Sequence, residues 1–222
     1  MFSEKAQKQK TDQITAGMFI IGYKGIEQMA EKIACLFPGI GYTCDKPLLY
    51  YSGKLLKGTG WEVVPVPYSG FPDKVKGDPE KMRLCAETAL EQSEEILRGI
   101  EWDRYGEILF VGKSVGTVVL GAYAERNGIR CRRILFTPVE AAFVYPAKDA
   151  IAFHGTADPW AKTKVIRECC RKQGIPLYET EGANHSLETG DVEKDIRELR
   201  KVMRIFGGFA GEYDKTNKTI RT

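Results

Sequence analysis

Six short apolar runs divide the chain, and most of them are continuous rather than alternating between apolar and polar positions. Continuous runs of this length are typical of strands in a parallel sheet that is covered on both faces. The runs are KIACLF (32–37), WEVVPVPY (61–68), EILFV (107–111), RILFT (133–137), AIAFHG (150–155) and IPLYET (175–180). A seventh, MFIIGYKGI (18–26), is a candidate antiparallel edge strand.

Helical patterns separate these runs. The clearest follows Asp78, which can cap a helix whose first residue is Pro79, and Glu80 suits the positive end of the helix dipole. Further helices are predicted at about 115–126, 161–172 and 192–205. Alternating strands and helices predict an α/β fold with a doubly wound, mostly parallel sheet. We expect one domain over residues 1–206, with its core at about 32–206, and a polar tail over 207–222.

Composition excludes several classes of function. The net charge is only +3, and its basic and acidic residues alternate, whereas nucleic-acid binders more often carry a basic stripe. No apolar run approaches the roughly 18 residues that span a membrane. Six cysteines without a CxxC pair and a polar N-terminus without a signal peptide predict reduced thiols and a cytoplasmic location. We expect no metal and no cofactor.

The stretch VGKS allows two interpretations. Gly112, Lys113 and Ser114 could end a phosphate-binding P-loop, or they could begin the Gly-x-Ser-x-Gly turn that presents a nucleophilic serine. A P-loop needs glycine where this chain has Glu107, and the intervening EILFV is a strand rather than a loop. The second interpretation fits directly, because Ser114 follows a strand, precedes a helix, and is flanked by Gly112 and Gly116, which allow close packing.

A serine nucleophile needs a histidine base and an acid that orients the histidine. Asp158 follows the 150–155 strand, and His185 lies in the polar loop after the 175–180 strand. Both positions are at carboxyl ends of strands, where open parallel sheets hold their functional groups. The sequence therefore predicts a triad of Ser114, Asp158 and His185, in the chain order of α/β-hydrolases.

Each of the two partners has an alternative. Glu140, after the 133–137 strand, occupies another position from which the acid could come. His154 is the only other histidine. Because it precedes the turn at Gly155, a structural role is favoured for it.

Together, VGKSVG, FHGTADPW, GANHSLE and FPGIGYTCDKP resemble the α/β-hydrolase superfamily, specifically its small, nearly lidless members, over about 32–206. The resemblance implies an acyl-enzyme on Ser114, with His185 as general base and then acid. It also implies an oxyanion hole formed by the N–H groups of Val115 and Ile40, with Gly41 as the alternative to Ile40. Lys113 departs from the commonest pattern, in which histidine precedes the serine. It either packs its stem beside the turn, or its charge favours an anionic substrate or tunes His185.

No cap domain fits between the 133–137 and 150–155 strands, so an open, shallow site is expected, which favours small or extended soluble substrates. Aromatic residues near its loops are candidates for lining the substrate pocket, foremost Tyr42, Phe143 and Trp160, with Phe71 and Tyr145 beside them. A carboxylic-ester hydrolase that acts on a small-molecule acyl substrate is the favoured function. An acyltransferase or thioesterase with the same triad, and a non-catalytic binding protein on the same scaffold, are the alternatives.

Overall fold

All strands of the sheet run in the same direction. The computed structural model describes residues 31–211, in which six strands form one sheet in the order β2-β1-β3-β4-β5-β6. The strands are β1 (Glu31–Phe37), β2 (Glu62–Pro65), β3 (Tyr105–Lys113), β4 (Arg132–Phe136), β5 (Ala150–Gly155) and β6 (Leu177–Thr180). The predicted α/β class with a parallel sheet is confirmed. The candidate edge strand at 18–26 lies outside the described residues.

The strand order reverses beside β1. The chain passes from β1 outward to β2 and then returns to form β3 on the other side of β1, with Phe37 opposite Gly112 in the register. Loops at the carboxyl ends of β1 and β3 therefore diverge to opposite faces, which opens the crevice where doubly wound sheets bind ligands. Ser114 follows β3 directly at this crevice.

Five α-helices cover the two faces of the sheet within the described residues. They are α1 (Pro47–Gly58), α2 (Pro79–Leu97), α3 (Val115–Arg126), α4 (Thr163–Gln173) and α5 (Val192–Ala210). The start predicted for α2 is confirmed, since Asp78 accepts a hydrogen bond from the Lys81 N–H at 3.1 Å and Pro79 is the first helical residue. The bounds predicted for α3 are confirmed as well.

Two predictions about helices were wrong. No helix was predicted at α1, where Ser52 and Gly53 interrupt the pattern. Helix α5 was predicted to end near residue 205, and a tail was expected from 207, but the helix continues through Gly207 to Ala210 and ends at Gly211, which has φ +85°. Gly207, the first residue of the expected tail, is buried within the helix.

Each face of the sheet has its own hydrophobic core. Residues of α2, α3 and α4 pack on one face around Phe37 and Phe110, whose ring centroids are 5.2 Å apart. Helices α1 and α5 pack on the other face, where the ring of Phe136 stacks on those of Phe153 and Phe206. The strands are therefore packed on both faces, and the loops that follow their carboxyl ends start from well-packed residues.

The connection from β4 to β5 holds only a 3-10 turn at Glu140–Val144 and no inserted domain, as predicted. All six cysteines are free thiols. None of the helices between residues 31 and 211 is long and apolar enough to cross a membrane.

Candidate active site

Ser114 is the single residue between β3 and α3, and its backbone is strained. Its φ is +55° and its ψ is −122°, a region that residues with a side chain rarely adopt. The Ser114 N–H donates to the Phe136 carbonyl on β4 at 3.0 Å, which holds the turn to the neighbouring strand. The chain therefore passes from strand to helix within one residue, and Ser114 lies just beyond the carboxyl end of β3.

The glycines around Ser114 allow this close approach of backbone segments. A Cβ on Gly112 would lie 2.7 Å from the Gly116 carbonyl oxygen, and one on Gly116 would lie 2.1 Å from the Phe37 carbonyl oxygen. Real Cβ atoms do not come this close, so both positions require glycine. Gly121, further along α3, makes room for another residue, because a Cβ there would meet the Tyr145 side chain at 2.8 Å.

The structure brings Ser114, His185 and Asp158 into one hydrogen-bonded chain. His185 Nε2 lies 2.7 Å from Ser114 Oγ, and His185 Nδ1 lies 2.6 Å from Asp158 Oδ2. The second carboxylate oxygen of Asp158 accepts the Trp160 N–H at 2.8 Å. The donor and acceptor order is that of a serine nucleophile, a base and an orienting acid.

Local hydrogen bonds hold the loops that carry the acid and the base. The Asp158 N–H donates to the Gly155 carbonyl at 3.1 Å, which turns the chain just beyond β5. In the next loop, Asn184 Oδ1 accepts the N–H groups of Ser186 at 2.7 Å and Glu188 at 3.2 Å. His185 thus lies in a loop whose conformation is set by its preceding residue.

The charges of the site favour a neutral histidine beside an ionised carboxylate. Burial works against the charge of Asp158, but hydrogen bonds from His185 and from the Trp160 N–H outweigh it and keep the pKa of Asp158 below its ordinary value. Burial also lowers the pKa of His185; its hydrogen bond to Asp158 opposes this effect, and the Lys113 charge adds to it. A neutral imidazole can accept a proton from Ser114.

The loop after β1 carries the predicted second oxyanion donor. Gly39 and Tyr42 exchange backbone hydrogen bonds at 3.0 and 3.2 Å, and Gly41 takes φ +69°. This turn uses the N–H groups of Gly39 and Tyr42 and leaves those of Ile40 and Gly41 without an acceptor among the described residues. A Cβ on Gly39 would lie 3.2 Å from Ser114 Cβ, so the loop passes directly beside the nucleophile. Val115 is the first residue of α3, where helical N–H groups have no partner within the helix.

His154 is closer to the triad than its position in the sequence indicates. It is fully buried at the end of β5, with Nε2 3.0 Å from Thr163 Oγ1 and Nδ1 3.8 Å from Asp158 Oδ2. Nδ1 has no hydrogen-bond partner among the described residues. Burial is the main cause that lowers the pKa of His154. The expected structural role fits these contacts, whereas the proximity to Asp158 was not predicted from the sequence.

Several solved structures that share this arrangement of strands and helices are named as hydrolases or esterases. An α/β serine hydrolase without a lid from Xanthomonas campestris is 14% identical, with a TM-score of 0.55, over 86% of this chain and 87% of its own. Est1E from Butyrivibrio proteoclasticus, solved with ferulic acid, is 11% identical, with a TM-score of 0.61 and coverage of 85% and 91%. The esterase Pf2001 from Pyrococcus furiosus is 14% identical, with a TM-score of 0.58 and coverage of 83% and 84%.

The chain has the α/β-hydrolase fold. No family model and no curated protein matches its sequence. At these identities the likeness establishes the fold alone, and the activity has to be argued from the site.

Lys113 is an unusual neighbour for the candidate nucleophile in this α/β-hydrolase fold. Only 3% of its surface is exposed, its Nζ lies 4.9 Å from the centre of the Tyr42 ring, and no ion pair neutralises it among the described residues. Burial lowers the pKa of Lys113 to about 7, although Asp158 and Glu188 oppose this effect. Both alternatives raised from the sequence have support, because the stem packs beside Gly39 and the charge acts on His185.

The aromatic residues predicted to line a pocket have different surroundings. Trp160 is 36% exposed and stacks on His185, with 5.6 Å between ring centroids. Tyr42 is buried, and its hydroxyl accepts the Leu48 N–H at the start of α1, so its side chain has a structural role. Phe143 packs against the core on the side of α2, α3 and α4, as Phe71 does. Only the Trp160 ring is thus seen against a residue of the triad.

Glu140, the alternative acid, lies exposed at the start of the 3-10 turn, whereas Asp158 bonds His185. Across residues 31–211, no group of three His, Cys, Asp or Glu side chains is arranged to hold a metal ion.

Proposed function

We propose that this protein is a serine hydrolase that cleaves small acyl substrates, foremost carboxylic esters, through an acyl-enzyme on Ser114. One observation carries the proposal: Ser114 Oγ, at a strained turn, lies 2.7 Å from a histidine that is itself 2.6 Å from a buried aspartate. A serine without such a base is a poor nucleophile at neutral pH. The esterases among the solved structures with this fold support the choice of ester.

In the first half of the reaction, His185 Nε2 takes the proton of Ser114 Oγ as the oxygen bonds to the ester carbonyl carbon. The carbonyl oxygen becomes an oxyanion that accepts hydrogen bonds from the N–H groups of Val115 and of Ile40 or Gly41. Asp158 holds His185 with Nδ1 protonated and stabilises the imidazolium. The carbon–oxygen bond of the ester then breaks, and the leaving alcohol takes its proton from His185 Nε2.

In the second half, water replaces the alcohol. His185 removes a proton from the water, the hydroxyl oxygen bonds to the acyl carbon, and the oxyanion forms again at the same N–H groups. When this intermediate collapses, Ser114 Oγ leaves and regains a proton from His185. The sum of the two halves is one ester and one water consumed for one carboxylic acid and one alcohol.

A fluorophosphonate probe tests the proposal, because it reacts with activated serines. Wild-type protein should form an adduct on Ser114, located by mass spectrometry of its peptides. Ser114→Ala should form none, and His185→Ala should react at least about 100-fold more slowly, the scale of one general base. Ser186→Ala, one residue from the base and outside the triad, is the matched control and should react at the wild-type rate.

Absence of an adduct on folded wild-type protein would reject the active hydrolase and leave a binding protein on a hydrolase scaffold. An adduct that also forms at the wild-type rate in His185→Ala would reject the role of His185. Product analysis with an added alcohol acceptor separates hydrolysis from acyl transfer.

A further inference from the structure

A groove of about 390 Å³ lies between α2, α3 and the connection from β4 to β5. Its walls are apolar side chains, among them Met82 and Ala86 from α2, Val118 and Ala122 from α3, and Val139 from the connection. A volume of this size falls in the range of small-molecule sites, which are mostly apolar. Apart from Val115, none of its lining residues takes part in the proposed reaction.

The groove shares one residue, Val115, with the proposed oxyanion hole. Val115 is one of its lining residues and directly follows Ser114, and its N–H is the predicted oxyanion donor. A carbonyl whose oxygen meets this N–H has its carbon on Ser114 Oγ. The acyl chain attached to that carbon therefore begins within one residue of the groove.

The position of His185 indicates which part of the substrate, the acyl group or the leaving alcohol, can reach the groove. The alcohol must take its proton from His185 Nε2, so it has to leave on the side of His185. His185 comes from the loop after β6 and stacks on Trp160, and neither residue lines the groove. The groove instead contacts the segment after β4, so the acyl part is the part that can reach it.

The charges of the groove favour an apolar occupant. Its only charged lining residues are Arg83 and Glu87, which form an ion pair at 2.5 Å, and Arg83 also pairs with Glu80 at 3.1 Å. These side chains are largely exposed and neutralise each other at the rim. An anionic or cationic substrate group would find no unpaired partner there.

We infer that the groove between α2 and α3 binds an apolar acyl chain of the substrate, so that the enzyme prefers esters of medium-chain carboxylic acids to acetate esters. The inference rests on the proposed function and adds the class of acyl group. It differs from the sequence-based expectation of an open, shallow site, because the groove gives an extended chain a place along the helices.

A second groove provides the matched control. It has about 410 Å³ and lies beside the loop of His185, lined by residues of α1 and α5 that include Leu48 and Ile196. Unlike the first groove, it contains Glu188 and Asp195, and neither forms an ion pair among the described residues. Variants with a larger side chain in one groove or the other show which groove determines the preference for acyl-chain length.

The experiment measures kcat/KM for p-nitrophenyl acetate, butyrate and hexanoate. In the wild type, kcat/KM should rise about four-fold for each added methylene, as expected for its burial. Ala122→Phe fills the groove and should make kcat/KM nearly independent of chain length. Ile196→Phe, in the second groove, and Leu84→Phe, exposed on α2 outside both, should keep the wild-type rise.

Met82→Ala enlarges the groove and covers the case in which Ala122→Phe does not fold. It should lower the rise per methylene, because fewer protein atoms contact the chain. A rise that persists in both Ala122→Phe and Met82→Ala, or one that Ile196→Phe abolishes, would overturn the inference.

A binding measurement separates failure of this inference from failure of the proposed function. In Ser114→Ala, which cannot be acylated, the methyl resonance of Met82 should shift on titration with p-nitrophenyl hexanoate and much less with the acetate. A shift without any adduct on wild-type Ser114 would reject the hydrolase and keep the groove. An adduct without a shift would reject the groove and keep the hydrolase.

Discussion

Ser114 adopts a strained backbone conformation, which lowers the stability of the fold but positions the side chain in the candidate active site. With φ +55° and ψ −122°, it lies in a region whose occupation costs about 1–3 kcal/mol for a residue with a side chain. The hydrogen bond from its N–H to Phe136 and the packing of α3 keep it there. Because the chain leaves the sheet at Ser114, this strained turn places the hydroxyl at the end of β3, 2.7 Å from His185 Nε2.

Replacing Ser114 by glycine should therefore stabilise the fold. Ser114→Gly should unfold with a free energy about 1 kcal/mol higher than Ser114→Ala, because glycine adopts this φ freely and alanine does not. Both variants lack the hydroxyl, so the comparison isolates the backbone. Urea unfolding followed by circular dichroism measures the difference, and equal free energies would mean that the turn is not strained.

Lys113 packs beside Gly39 with its Nζ over the Tyr42 ring, and below its pKa of about 7 it adds a positive charge near the triad. Its charge lowers the pKa of His185, which must be neutral to accept the proton of Ser114. Lys113→Met removes that charge and should raise the pKa of His185. The acidic limb of kcat/KM against pH should then move to higher pH, by up to about one unit for a charge within the same site.

The control for this prediction is Lys148→Met, an exposed lysine just before β5 at the opposite edge of the sheet. It should leave the acidic limb unchanged. If Lys113→Met also leaves the limb unchanged, Lys113 acts only by packing beside Gly39 and Tyr42.

At the scale of elements, the turn from β3 into α3 depends on how closely it approaches the end of β1. Gly116 lies in the first turn of α3, where a Cβ would be 2.1 Å from the Phe37 carbonyl oxygen. Neighbouring backbone cannot yield as a flexible side chain can. The two parallel strands and the helix can thus meet only at a glycine.

Two glycine-to-alanine variants in helices test this point. Gly116→Ala should lower the free energy of unfolding by at least about 2 kcal/mol, or prevent folding, because of overlap with backbone. Gly58→Ala, in the last turn of α1 with nothing within 4 Å of the added Cβ, should raise it by about 0.5–1 kcal/mol. Thermal and urea unfolding of both proteins give the comparison, and a mild effect of Gly116→Ala would contradict the geometry.

Elements whose local signals agree with their packing could be predicted from the sequence. The α2 helix has a capping aspartate, a proline and an apolar stripe, and it was found; α1 carries Gly53 in its centre and was missed. A Cβ on Gly53 would lie 3.2 Å from Leu36 Cδ1 on β1, so the glycine allows closer packing of the helix on the strand. Such a contact between a helix and a strand leaves no periodic signal in the sequence.

At the scale of the whole molecule, the site is assembled from loops at one edge of the sheet. The triad residues follow β3, β5 and β6, and the Gly39 turn follows β1, so a parallel sheet delivers all of them to the same edge. Their positions just after predicted parallel strands, together with their order along the chain, were enough to predict that Ser114, Asp158 and His185 would meet. The burial of Lys113, the distance from His154 to Asp158 and the groove along α3 depend on side-chain packing across several elements, which a single sequence does not reveal.

Acid should destabilise the whole fold, because His154 and His185 are buried or half-buried and resist protonation in the folded state. Burial lowers the pKa of both His154 and His185 from the ordinary 6.5, so the unfolded chain binds protons more readily than the folded one. The stability they contribute is fully present above about pH 6.5 and is lost as the pH falls through their folded pKa values. Each histidine can contribute a slope of up to about 1.4 kcal/mol per pH unit.

Replacing His154 by glutamine should make this acid dependence shallower. His154→Gln cannot titrate, and its amide N–H can still donate to Thr163 Oγ1, so the variant removes the protonation step at a modest cost of about 1 kcal/mol at neutral pH. Urea unfolding at about pH 7.5 and about pH 5.5 should show that the wild type loses more free energy of unfolding on acidification than the variant does, by up to about 1 kcal/mol. Because Asp158 titrates well below this range, the difference between the two proteins reports on His154 itself. If both lose the same amount, the pKa of His154 does not differ between the folded and unfolded states, and if the wild type loses less, His154 is protonated in the folded protein, where its Nδ1 lies 3.8 Å from Asp158 Oδ2.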